Sequence, residues 1–312
     1  MSVTVARTPD AWWVVRGAVA HRVETQAATT AELLRDRASV DAAGSRRDTS
    51  PVAELSLESP ITPPCRVVAQ MVNYRSHAQD SGFDPATVPP TFFRKSSSSI
   101  TGPFGEIVRP AHVRLLDYEV ELGIVLGKPL DIGTMVTEAN VADYVAGLVI
   151  ANDVSARDVQ LSKGQFYESK SYPTFTPMGP YLVLVDREDL RHFANLRLRL
   201  SVNGVERQDR TTTDMIVKPA QALSLLARFQ PMAPGDVLLT GTPGGTALKA
   251  PPKPVEKVAA LLPPHRKWKI FFAKQEKVSA YLRAGDVVEA SITATDGSLD
   301  LGVQSNVVVD GP

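Results

Sequence analysis

From Val67 onward the chain is a succession of short apolar runs, each closed by turn-forming residues, and that rhythm admits few architectures. Val67–Val72, Tyr118–Leu126, Val145–Ala151, Tyr181–Val185, Arg197–Val202, Val237–Leu239, Val287–Ile292 and Val303–Val309 read as strands. Asn203–Gly204, Asp296–Gly297 and the Pro-Gly-Asp of Pro234–Asp236 supply turns between them. The clearest helical stretches are Asn140–Gly147 and Pro219–Phe229. The second opens on proline and carries Ala222, Leu225, Leu226 and Phe229 on one stripe. Many strands among few helices argue against a doubly wound α/β sheet. They predict a mainly β protein with some α, built on a large folded sheet or barrel-like core.

The first sixty residues read differently. Ala11–Glu24 predicts two short strands around Gly17, and Thr29–Val40 a helix capped by Thr29 or Thr30. The polar, Gly- and Pro-containing stretch Asp41–Glu54 reads as a linker. The expected organisation is a small N-terminal α+β domain, residues 1–60, ahead of a main domain, 61–312. Gly245–Asp286 interrupts the β rhythm with prolines and a basic aromatic stretch, so residues 247–282 are expected to be an inserted segment.

Composition narrows the classes of function. The 312 residues carry 34 Lys and Arg against 34 Asp and Glu, a zero net charge that gives no electrostatic footprint for nucleic acid or an anionic membrane. One cysteine, Cys65, excludes an intrachain disulfide and a thiolate metal cage. The N-terminus has no signal-peptide pattern, and no run approaches the roughly twenty apolar residues of a membrane span. The expectation is a cytoplasmic protein.

The stretch "LLDYEVELGIVLG", Leu115–Gly127, raises the chemical question. Strand alternation places Asp117, Glu119 and Glu121 on one face. Two carboxylates at i and i+2 can share a hard divalent cation, and Asp153, after an apolar strand, can supply a third oxygen ligand. On spacing alone a solvated acidic face is the commoner explanation, and spacing does not choose among the three acids.

The surroundings decide further. "MVNYRSHAQD", "PTFFRKSSSSITGP", "DYEVELGIVLG", "ANDVSARDVQ", "SKSYPTFTPMGPYLV", "LRLSVNGVERQDRTTTDMI" and "PGDVLLTGTPGG" follow one another over Pro63–Val309. In this order they resemble the fumarylacetoacetate hydrolase family, which includes acylpyruvate hydrolases, oxaloacetate decarboxylases and homoprotocatechuate-pathway isomerase/decarboxylases. The resemblance implies a mixed β-sandwich roll, usually a homodimer. It implies Mg²⁺ or Mn²⁺, with Ca²⁺ as a further option, held by Glu119, Glu121 and Asp153. Lys170 is implied beside the metal, steadying a developing enolate, and Gln160 contacts substrate or a metal-bound water. His77 matches the family's base. Asp80 stands where relatives commonly carry the glutamate that orients that base, and is shorter by one methylene. Tyr74, Thr240, Gly241 and Thr242 are implied as substrate contacts.

A 1,3-dicarbonyl or 2-oxo acid chelates a divalent ion through two oxygens, and the ion then draws electrons from the bond to be broken. The expected function is therefore hydrolysis of a carbon–carbon bond in a 1,3-dicarbonyl compound, as a step in aromatic catabolism. The alternatives are a lyase or isomerase of the same superfamily, such as a 2-oxo acid decarboxylase, and a non-catalytic metal-binding assembly module. Arg94 and Lys95 either line the pocket or flank a serine loop. Arg157 and Asp158 are expected to brace the metal loop through an ion pair. His21, His112, His192 and His265 have no partner pattern and read as structural or exposed. "GTPGG" lacks the Lys-Ser/Thr of a phosphate-binding loop. In the inserted segment Trp268, Phe271 and Phe272 read either as a flap over the pocket mouth or as part of a peripheral arm. Lys267 and Lys269 there attract a carboxylate or are solvated.

Overall fold

The computed structural model describes residues 2–45, 48–250 and 263–312. Among them the apolar rhythm becomes two large sheets. The larger runs in the order Thr49–Pro51, Val19–Arg22, Trp12–Arg16, Val3–Arg7, Thr176–Leu184, Val145–Asn152, Val120–Leu126, Val237–Leu239, Val67–Met71 and Thr91–Lys95. The smaller has five strands, Val205–Thr211, Leu196–Val202, Val287–Ala294, Asp300–Asp310 and Glu106–Arg109.

Side-chain alternation on Val120–Leu126 explains how the layers stack. Val120, Leu122, Ile124 and Leu126 enter a core shared with Leu198, Leu200, Ala290 and Ile292 of the smaller sheet. Val125 points the other way, into a second core with Val5, Trp12, Leu33 and Val40. Both faces of this strand are covered, which is why all seven of its residues are buried and its sequence reads as a nearly unbroken apolar run. Gly123 is the exception to bulk, because a Cβ there would lie 2.6 Å from the Val149 side chain. Each fully buried Leu or Ile contributes roughly 1.5–3 kcal/mol relative to exposure.

The N-terminal residues join this arrangement through Val3–Arg7, which pairs antiparallel with Thr176–Leu184. The two strands flanking Gly17 form as expected, with Gly17 at φ 60° in the turn. The expected Thr29–Val40 helix is broken into Thr30–Arg35 and Arg37–Ala43 at Asp36. Thr29 is the cap, and its hydroxyl and the Glu32 carboxylate exchange hydrogen bonds with each other's backbone amides. Asn140–Gly147 is helical only over Val141–Tyr144, because the β-branched Val145 already pairs in the sheet. The helix expected over Pro219–Phe229 ends at Leu226, leaving Phe229 exposed.

Of the inserted segment, 251–262 lie outside the described residues. Beyond them Pro264–Gln275 is helical. Phe272 packs on the main core, and Glu276 pairs with Arg114 at 2.7 Å. No described helix is long and apolar enough to cross a membrane.

Candidate active site

Register brings the three acids together. Val120 pairs with Asn152 and Glu121 with Ala151, so Glu119, Glu121 and Asp153 fall on one face at the ends of adjacent antiparallel strands. The Asp153 amide donates to the Glu119 carbonyl at 2.8 Å, and the Glu119 amide to Asn152 Oδ1 at 2.9 Å. One carboxylate oxygen from each of Glu119, Glu121 and Asp153 lies within 4.8 Å of the other two, and all three residues are buried. The solvated-face explanation of these glutamates is thereby excluded.

Three buried cations close around them. Lys170 Nζ donates to Glu119 Oε2 at 2.8 Å and to Asp153 Oδ2 at 2.5 Å. Lys95 Nζ donates to Asp153 Oδ1 at 2.5 Å and to the Phe175 carbonyl at 2.9 Å. Arg157 bridges Asp117, at 2.8 Å, and Glu119. Arg157 therefore braces the site as expected, whereas Asp158 instead accepts the Arg114 amide at 3.0 Å. Asp117, left open by spacing, accepts the amides of Ala247 and Leu248 and so anchors the loop after the Thr-Gly-Thr-Pro turn.

The two glutamates differ electrically. Burial works against the Glu119 charge, but Arg157 and Lys170 hold its carboxyl well below the usual range. Glu121 makes no ion pair among the described residues; its Oε2 accepts the Gly241 amide at 2.7 Å. Burial, then the charges of Asp153 and Glu119, push its carboxyl well above the ordinary value. Lys170 loses stability as an ion through burial, yet Asp153 and Glu119 more than offset this and raise its pKa. Four carboxyl groups, counting Asp117, face three cations, and the one left without a cation partner, Glu121, is the one whose pKa is raised. An all-oxygen donor set with one carboxyl group lacking a cationic partner fits a hard divalent cation, which would favour that group's ionised form. The buried Glu-Glu-Asp cluster is consistent with such a site.

The remaining expected residues surround this cluster with varied duties. His77 is buried on the helix Arg75–Asp80, its Nδ1 has no hydrogen-bond partner, and burial lowers its pKa, leaving a neutral imidazole at pH 7. No hydrogen bond or ion pair joins Asp80 to it. The Asp80 carboxylate accepts the Gly245 amide at 3.0 Å, so the expected His77–Asp80 dyad is not formed. The shorter aspartate is engaged by the loop. Gln160 Oε1 accepts from Arg157 at 3.0 Å. Thr240 and Thr242 donate their hydroxyls to the Leu122 and Val120 carbonyls at 3.0 and 2.9 Å, fastening their loop to the glutamate strand. Gly241, between them, has φ +83°, and a Cβ there would lie 2.8 Å from Asn73. Tyr74 is fully buried with an unpartnered hydroxyl, pushed well above its usual pKa by burial and by Glu121.

Lys95 is resolved as part of the cluster, while Arg94 is exposed. Two further residues escaped sequence reasoning. Asn73 Nδ2 binds the Val217 and Thr240 carbonyls at 3.0 and 2.8 Å. Gln208 accepts the Val120 amide at 2.9 Å and donates to the Thr242 hydroxyl at 2.8 Å. A polar residue at an inward strand position was the available signal for Gln208.

This site and fold can be set beside known proteins. A sequence profile described as fumarylacetoacetate (FAA) hydrolase C-terminal matches residues 66–309. The chain belongs to the fumarylacetoacetate hydrolase family. It is 37% identical over 206 residues to the mitochondrial oxaloacetate tautomerase Fahd2a of Rattus norvegicus, an alignment covering 65% of this chain and 63% of that relative. It is 40% identical over 185 residues to a putative hydrolase of Burkholderia multivorans, covering 59% and 64% respectively. The chain thus spans under two thirds of the length of these relatives. Over the full length of both chains it resembles a probable 2-hydroxyhepta-2,4-diene-1,7-dioate isomerase from Mycobacterium abscessus, at TM-score 0.76 and 28% identity. A fumarylacetoacetate hydrolase from Exiguobacterium antarcticum gives 0.74 and 27%, again over both complete chains. The mixed, mostly β architecture expected from sequence is the family fold.

Proposed function

We propose that this family member is an enzyme that binds a divalent cation, Mg²⁺ or Mn²⁺, at Glu119, Glu121 and Asp153 and acts on a 2-oxo acid or 1,3-dicarbonyl compound through an enolate. A bound cation of this kind supplies Lewis acidity toward the two oxygens of a chelating substrate. The observation that carries the reading is the convergence of three buried carboxylates with Lys170 and Lys95, close to a neutral buried histidine.

His77 takes the proton from the carbon next to the ketone, because its lowered pKa leaves it unprotonated near pH 7. The electron pair moves into the new carbon–carbon double bond, and charge develops on the ketone oxygen. Lys170, held charged by Asp153 and Glu119, stabilises that oxygen. Return of a proton to the oxygen completes keto–enol tautomerisation. Hydrolysis, the outcome expected from the motifs, further requires an oriented water. The engagement of Asp80 by Gly245 supports tautomerisation over hydrolysis. The names of the rat and mycobacterial relatives point the same way, and that of the Burkholderia relative favours the hydrolytic reading.

The test is Mg²⁺- or Mn²⁺-loaded protein assayed on oxaloacetate and on acylpyruvates in ¹⁸O-labelled water. Enol–keto interconversion without ¹⁸O in an acid product supports tautomerisation; ¹⁸O in the product makes hydrolysis the reaction, and CO₂ release makes it decarboxylation. Absence of all three with bound metal leaves the non-catalytic reading.

A further inference from the structure

A buried lysine ammonium group has three hydrogens to place. Lys170 Nζ gives one to Glu119 Oε2 at 2.8 Å and one to Asp153 Oδ2 at 2.5 Å. Its third neighbour is the ring of Phe93, whose centroid lies 5.1 Å from Nζ. Both sides of this contact are built into the fold. Phe93 and Lys95 stand two residues apart on the strand Thr91–Lys95, so alternation turns both toward the cluster, Lys95 to Asp153 and Phe93 to Lys170. Phe166 stacks with Phe93 at 5.1 Å between centroids and 26° between planes. The Phe166 carbonyl accepts the Lys170 amide at 3.1 Å, so the same residue opens the turn Glu168–Lys170 that presents the lysine. The Ser96 amide donates to Ser171 Oγ at 2.9 Å and ties the two segments together a second time.

An aromatic face attracts a cation through its quadrupole, without fixing the direction of any one N–H. A water or carbonyl oxygen in its place would hold the third N–H in a directed, charge-assisted hydrogen bond, in competition with a substrate oxygen. The ring steadies the charge, keeps water off that side and leaves a donor free to turn. Packing alone needs only the volume of the ring, whereas this role needs its π electrons.

We propose that Phe93 is the positioning residue for Lys170: stacked with Phe166, its ring face holds the ammonium group in place while keeping one N–H available to the ketone oxygen on which charge develops. The inference rests on the proposed enolate chemistry and adds the residue that aims its cation. The experiment replaces Phe93 with mono-, di- and trifluorinated phenylalanine, which drain the negative face while nearly preserving shape. The metal-loaded enzymes are assayed on oxaloacetate and acetylpyruvate. The expected result is a stepwise fall in kcat with fluorine number, reaching roughly threefold to thirtyfold in the trifluorinated enzyme. KM should change less than about twofold, and metal affinity by calorimetry should stay the same. The matched series is at Phe193, which packs on the main core and has no cation over its ring among the described residues; it should show no slope. A flat series at Phe93, or equal slopes at the two positions, overturns the proposal. If wild type turns over neither compound, the enolate reading fails separately, and melting of the metal-free proteins decides the contact. A stepwise fall in melting temperature confined to the Phe93 series retains Phe93 as the residue that holds Lys170; equal shifts in both series remove it.

Discussion

Replacing Lys95 with methionine keeps the aliphatic stem and deletes only the charge and its donors. The lysine side chain is wholly inaccessible, as is that of Asp153, and its ammonium group holds Asp153 at 2.5 Å and the Phe175 carbonyl at 2.9 Å. Removing one partner of a buried pair costs about 3–5 kcal/mol, because the abandoned charge stays desolvated. Lys170 still reaches Asp153, which places the expected loss toward the lower end. At roughly 2–4 °C per kcal/mol for a domain of this order of size, metal-free Lys95→Met should melt about 6–12 °C below wild type. Arg94→Ala is the matched control: the side chain is exposed, and its removal should move the transition by no more than about 2 °C. Thermal unfolding followed by circular dichroism measures both. If Lys95→Met melts within about 2 °C of Arg94→Ala, the buried charge cluster is not held as described, and the electrostatic reasoning for the whole site fails with it.

Glu121 is the carboxyl group without a protein cation partner, so Glu121→Gln should remain folded but lose the stabilisation that Mg²⁺ or Mn²⁺ gives wild type. That stabilisation amounts to about 2.7 kcal/mol at a hundred times Kd, and an unchanged metal-induced melting shift would contradict the assignment. His77 has a folded pKa below the 6.5 of a free imidazole, so it contributes stability above that pH, which is lost as pH falls through 6.5 toward the folded pKa. His77→Gln should flatten this acid-side decline in melting temperature and reduce turnover on the order of a hundredfold or more; an unchanged pH profile argues against a buried neutral imidazole. Deleting Lys249–Lys277 should alter substrate range while leaving metal affinity intact, as read by calorimetry. Loss of metal binding would make the segment a structural support of the site, consistent with Phe272 and Glu276 docking on the main core.

What the chain alone determined was whatever depends on neighbours in sequence. Strand rhythm follows from apolar alternation and turn chemistry, so Val237–Leu239 and the hairpin at Asn203–Gly204 were legible before any coordinates. The candidate acids were legible as well, since an E-x-E within an apolar strand and an aspartate at a strand end are local features. Tertiary structure decided everything that depends on register and on partners far apart in the chain. Only the Val120–Asn152 pairing sets Asp153 opposite Glu119. Only packing separates Lys95, drawn inward to Asp153, from Arg94 beside it, although the two are adjacent cations in one strand. The Asp80 carboxylate goes to Gly245, 165 residues away, and the Phe93 ring meets Lys170 from a separate stretch of chain. The physical reason is common to these cases. A charge or hydrogen-bonding group is indifferent to sequence distance, and its partner is fixed only when folding decides which strands lie side by side.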